Sequence, residues 1–126
     1  MAKKRSEDIT VKEHATIIQK RCAITVATKG VEDPEDALTT RGIIRVGPVK
    51  RLGNDGDYAF EISEQDQFEF RGRQRREVIW ICMVYVTPEH EVRVYQERGG
   101  YDPVPDGVLD CVTTPISRTE SLELRR

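Results

Sequence analysis

His14 and Arg21 stand seven residues apart. On a helix that is about two turns, so both side chains share a face. A histidine moves protons near neutral pH, and an arginine holds a phosphate through two parallel hydrogen bonds. RNA cleavage through its own 2′-hydroxyl needs a base, an acid and a cation for the developing phosphorane charge, and no metal. His14 and Arg21 are the candidate catalytic residues for such a reaction, with Arg71, Arg73, Arg93 and Tyr95 as partners from a sheet. The ordinary reading of a solitary helical histidine is a surface or packed residue.

A second constellation is purely electrostatic. Arg71, Arg73, Arg75 and Arg76 crowd into six positions, whereas every charged residue from Asp55 to Glu69 is acidic. Such a cluster is either a solvated hairpin tip or an electropositive lobe that meets phosphates. Together with Arg93 and Tyr95 it forms the candidate nucleic-acid-binding set. The net charge of −2 argues against a general nucleic-acid binder. Trp80 and Tyr85 could stack on bases only if one sheet face were open; their apolar neighbours favour core packing.

Other chemistries are not signalled. GxGxxG, Walker and GxSxG motifs are missing from the chain, so no nucleotide cofactor is expected. His14 and His90 have no ligand at the i, i+4 spacing of a helical metal pair, and the acidic run lacks the spacing of a calcium loop, so no metal is expected. Three well-separated cysteines (Cys22, Cys82, Cys111) suit free thiols better than a disulfide framework. No stretch approaches the ~20 apolar residues of a membrane span, and no apolar run follows the basic start. The expectation is a cytoplasmic protein without a membrane partner.

The elements that must position these groups read as α+β: two short N-terminal helices, an antiparallel sheet of about four strands, and a Pro-containing C-terminal tail. Asp8 is placed to cap a helix from Ile9 to about Cys22. Residues 23–28 suit either strand or an extension of that helix, and Gly30 ends either. Asp33-Pro34 opens a second helix from about Pro34 to Arg41, stopped by Gly42. Ile43–Val46 is a strand broken by Gly47-Pro48, with a continuation at Val49–Leu52. Tyr58, Phe60 and Ile62 alternate with Ala59 and Glu61, and Phe68 and Phe70 alternate again before a polar turn at Gly72–Arg76. Val78–Val86 is nearly continuous in apolar residues, as in a central strand covered on both faces. Phe60, Trp80, Ile81 and Val84 are the expected core. After the turn at Thr87–His90, Val92–Tyr95 closes the sheet. The domain is expected to occupy residues 1–100. Residues 101–126 read as an extended tail adding little to the core, with a capping-box pattern at Ser117–Glu120.

The segment His14-Ala15-Thr16-Ile17-Ile18-Gln19-Lys20-Arg21-Cys22-Ala23-Ile24 resembles the opening of small bacterial domains of the barnase–colicin–RelE ribonuclease-toxin class. The likeness continues through Pro34–Leu38, Gly47, Tyr58 and the strands to Val94. Cys22, where that class runs into a glycine, and residues 23–33 depart from its pattern. The resemblance implies a metal-independent endoribonuclease acting on RNA. The competing expectation is a non-catalytic phage, viral or bacterial accessory protein, which binds a protein partner or a second copy through the C-terminal tail.

Overall fold

A computed structural model describes residues 9–32 (27–32 as backbone only), 42–53, 56–97 and 99–124. Among these a single N-terminal helix, α1 (Val11–Glu32), precedes the sheet. The helix expected at Pro34–Arg41 and the cap expected at Asp8 lie outside the described residues. Thr10 caps α1 instead. Its Oγ1 accepts from the Glu13 amide at 3.0 Å, while Glu13 Oε1 accepts from the Thr10 amide at 2.9 Å.

Residues 23–28 are helical, and Gly30 does not end the helix. Val11, Ala15, Ile18, Cys22 and Val26 form one stripe at helical spacing against the core. That burial outweighs the strand preference of Ile24, Thr25 and Val26.

The sheet has five antiparallel strands rather than four: β1 (Ile43–Val46), β2 (Lys50–Leu52), β3 (Asp57–Phe70), β4 (Arg73–Val86) and β5 (Val92–Gln96). Their order is β1-β3-β4-β5, with β2 also paired to β3. β1 and β2 are two pieces of one edge, interrupted at Gly47-Pro48. Gly47 N–H still donates to Glu61 O at 2.8 Å across the break. Proline has no amide to offer a ladder, so pairing lapses there.

β4 is central, but among the described residues only one of its faces is fully buried. Ile79, Trp80, Cys82, Val84 and Val86 are buried, while Ile81, Met83 and Tyr85 alternate with them and remain half-buried. Ile81 is therefore not a core residue, and truncating it to alanine should cost less than the roughly 2–5 kcal/mol typical of a fully buried isoleucine. Ile79 and Trp80 are both buried because the register shifts at Glu64/Gln65: Glu64 faces Trp80 and Gln65 faces Val78, leaving Ile79 as the extra residue of a bulge.

The C-terminal segment is not an extended tail. Asp106–Thr113 forms α2 and Arg118–Leu124 forms α3. Val104, Val108, Cys111 and Val112 are buried in the same cluster as Phe60 and Trp80. The Asp102 amide donates to Ile79 O at 2.8 Å, which ties the incoming chain to β4. Residues 104–112 thus finish the helical layer over the sheet.

Candidate nucleic-acid interface

β3 and β4 run on past their neighbours. β1 pairs along β3 only as far as Gln65, and β5 along β4 only as far as Cys82. Residues 66–77 are left as a two-stranded ribbon with no third strand on either side among the described residues. Its side chains from Gln67 to Glu77 are exposed.

The ribbon turns at Arg71-Gly72, at the leading edge of the polar turn expected at Gly72–Arg76, and Arg73–Arg76 belong to β4. Both turn residues have positive φ, 54° and 74°. This is the two-residue geometry whose twist matches that of paired strands. Gly72 adopts it freely, whereas an arginine at positive φ is uncommon. Asparagine or glycine would suit position 71 better. The Arg71 guanidinium carbon lies 5.2 Å from the centre of the Phe70 ring, a cation–π contact.

Register gives the ribbon two unlike faces. Phe70 pairs with Arg73 and Phe68 with Arg75, so two aromatic rings and two arginines share one face. Phe68 is 41% exposed and Phe70 49%. Gln67 pairs with Arg76 and Glu69 with Gln74 on the opposite face. At the base, Asp66 and Glu77 stand directly opposite each other. On the face that bears the rings, charge is therefore graded, positive at Arg73 and Arg75 and negative at Asp66 and Glu77 toward the body. Among the described residues none of Arg71, Arg73, Arg75 and Arg76 makes an ion pair.

Arg93 and Tyr95 are not part of this patch. Both are on β5, opposite Tyr85 and Met83 of β4. Tyr85 is ten residues from Arg75 along β4, on the order of 33 Å. Arg93 is held by Glu91, with Nη2 to Oε1 at 2.7 Å. Tyr95 is 55% exposed and meets the Tyr85 ring edge-on at 5.2 Å. Trp80 is buried, and its indole Nε1–H donates to Glu64 Oε1 at 2.6 Å.

His14 and Arg21 belong to different networks. The His14 ring stacks on His90 with centroids 5.1 Å apart and Nδ1 atoms 2.9 Å apart. The turn after β4 places His90: Thr87 Oγ1 accepts from the Glu91 amide, Thr87 O accepts from the His90 amide, and His90 sits at φ 67°. Burial, then the neighbouring His90 and Arg21, push His14 down to about 4, so it is neutral at pH 7.

Arg21 ties the C-terminal helices to α1. Its Nε and Nη2 donate to the two carboxylate oxygens of Glu120 at 2.6 and 2.8 Å. Nη1 donates to the carbonyls of Cys111 and Thr114 at 2.6 and 2.7 Å, and Nη2 to that of Pro115 at 3.4 Å. All five guanidinium donors are thereby engaged inside the chain. The bond from Arg21 is the main reason that the Glu120 carboxyl is held below its ordinary range.

Two residues that matter here carried weak sequence signals. Glu64 continues the even-numbered inward alternation of Phe60 and Ile62, which could have marked it as a buried carboxylate. Its Oε2 accepts from the Gly42 amide at 2.9 Å, so it joins Trp80 to the chain entering β1. His90 had no local signal, because its partner is 76 positions away. Among the described residues no group of three histidine, cysteine or acidic side chains could hold a metal, and no helix is long and apolar enough to cross a membrane. No known protein family, curated protein or solved structure matches this chain.

Proposed function

We propose that this protein binds nucleic acid through the β3–β4 ribbon. The observation that carries the reading is the outward set of Arg71, Arg73, Arg75 and Arg76 on a projecting ribbon, without carboxylate partners among the described residues. Arginines left in water on a projection reach phosphates with little desolvation and no rearrangement of the body. The uncommon backbone of Arg71 supports the same reading, since asparagine or glycine would make the same turn without the charge.

The reading ends at binding. Arg21 has its donors engaged, and His14 titrates too low to share a proton efficiently near neutral pH. Binding of a labelled oligonucleotide should weaken with salt, with a slope of log K against log[salt] of about −2 to −3 as Arg71, Arg73 and Arg75, with or without Arg76 on the opposite face, engage phosphates. Replacing Arg73 and Arg75 by alanine should reduce that slope by roughly one to two while leaving the circular dichroism unchanged. Salt-independent binding, or none at low ionic strength, would overturn the proposal.

A further inference from the structure

We infer that the ligand of the ribbon is a single-stranded nucleic acid, whose unstacked bases lie on Phe68 and Phe70 while Arg73 and Arg75 hold the adjoining phosphates. The inference rests on the nucleic-acid reading and sharpens it.

The spacing of the rings supports it first. Phe68 and Phe70 are alternate residues on one strand and one face, so they repeat at about 6.8 Å. Stacked bases in a duplex repeat at about 3.4 Å along each strand. Two rings at twice that interval fit consecutive bases only when those bases are pulled apart, as in an extended single strand.

The alternation of chemistry supports it next. Each phenylalanine stands opposite an arginine, Phe68 with Arg75 and Phe70 with Arg73. Every ring that could take a base has a cation across the ribbon for the phosphate of the same nucleotide. Arg71, lying over the Phe70 ring, extends the cationic row to the tip. Exposed phenylalanines bind bases by their faces and read no donor–acceptor pattern, so the site is tolerant of sequence.

The other face argues against a duplex. A β-ribbon seated in a major groove has phosphate backbones along both flanks. Glu69 lies on the face opposite the two rings, whereas Asp66 and Glu77 share the face of the rings and close it off at the base. A strand laid over the Phe68–Phe70 face avoids Glu69 and ends before Asp66 and Glu77. The footprint between the tip and Arg75 is about 13 Å, room for two nucleotides at the interval of the rings.

The test is fluorescence anisotropy of the full chain with two probes, a short labelled oligothymidylate and a duplex of equal length. The single strand should bind roughly tenfold or more tightly than the duplex. Phe68→Ala and Phe70→Ala should each weaken it by roughly tenfold, with the salt slope unchanged. Both positions are exposed, so circular dichroism should stay that of the parent. The double variant Phe68→Leu, Phe70→Leu keeps the apolar surface and removes the rings; it should lose nearly as much as the alanine variants. Full affinity in the leucine variant would overturn stacking. Equal or tighter duplex binding would overturn the single-strand assignment and leave the nucleic-acid reading standing. Binding of neither probe at low ionic strength would overturn both.

Discussion

The imidazoles of His14 and His90 face each other across the gap between α1 and the turn after β4, sharing a hydrogen bond between Nδ1 atoms 2.9 Å apart. One ring must donate and the other accept, so the contact exists only while at least one is neutral. Protonating both would place two cations in a half-buried site.

This pair makes the fold sensitive to acid. The folded pKa of His14, about 4, is below its ordinary 6.5. Between these values the unfolded chain binds a proton that the folded chain does not. Stability should fall as pH drops from 6.5 toward 4, by about 1–2 kcal/mol after allowance for partial solvent exposure. Thermal melts across this range check the sign. In His90→Ala the second cause of the shift is gone, and His14 should titrate higher by NMR.

Arg21→Ala should release the C-terminal helices from α1. The change strands the Glu120 carboxylate and the carbonyls of Cys111 and Thr114, and should cost about 3 kcal/mol. Arg21→Lys should recover only part, because an ammonium cannot span Glu120 and three carbonyls at once. Hydrogen exchange should show the loss at α2 and α3 first. Glu120, with its carboxyl held low, contributes stability above its unfolded pKa and loses it as pH falls through the folded value. An Arg21→Ala chain that melts like the parent would contradict this role.

The three thiols should react in a fixed order. Cys22 and Cys111 titrate as an interacting pair, in which Cys111 is held below the ordinary thiol range and Cys22 above it. Burial raises Cys82 to about 11. Alkylation of the folded protein near pH 7.5, followed by peptide mapping, should find Cys111 modified before Cys22 or Cys82. Initial labelling of Cys82 would show the pairing to be wrong.

Glu64→Gln should disturb the start of β1 more than the body of the sheet. Glutamine can still accept from the Trp80 indole, but its amide nitrogen cannot accept from the Gly42 N–H. The cost should be about 1–3 kcal/mol. Trp80 is the sole tryptophan, so its emission reports the change directly. Gly42→Ala should be damaging for a different reason: an added Cβ would overlap the Gln65 carbonyl, which is backbone and cannot swing aside.

The strands were legible wherever one face met the core. Alternation marked Tyr58–Ile62 and the apolar run marked β4. It failed from Ser63 to Gln67, where β3 enters the ribbon: polar residues on both faces erase the period of two, and one long strand reads as two short ones. The end of α1 is ambiguous in sequence because local preference at 23–26 opposes the stripe that Cys22 and Val26 continue. Val108, Cys111 and Val112 have the i, i+3, i+4 spacing of a buried helix face, yet Pro103, Pro105 and Gly107 are turn formers that mask it. Of the candidate interface, the arginines were visible in sequence. Their alignment with Phe68 and Phe70 depends on a turn at Arg71-Gly72 rather than at Gly72–Arg76, and a shift in turn changes every pair.

The gap at Gly47-Pro48 also bears on how copies of the chain tolerate one another. The rim of a sheet offers unsatisfied amides and carbonyls on which another chain can template growth. Here that rim is cut into pieces of four and three residues, and Pro48 removes a donor between them. Lys50 and Arg51 on the second piece add like-charge repulsion against an identical neighbour. Joining the pieces by replacing Gly47 and Pro48 with valine would restore a continuous rim and should turn a well-behaved solution into one that forms fibrils on standing.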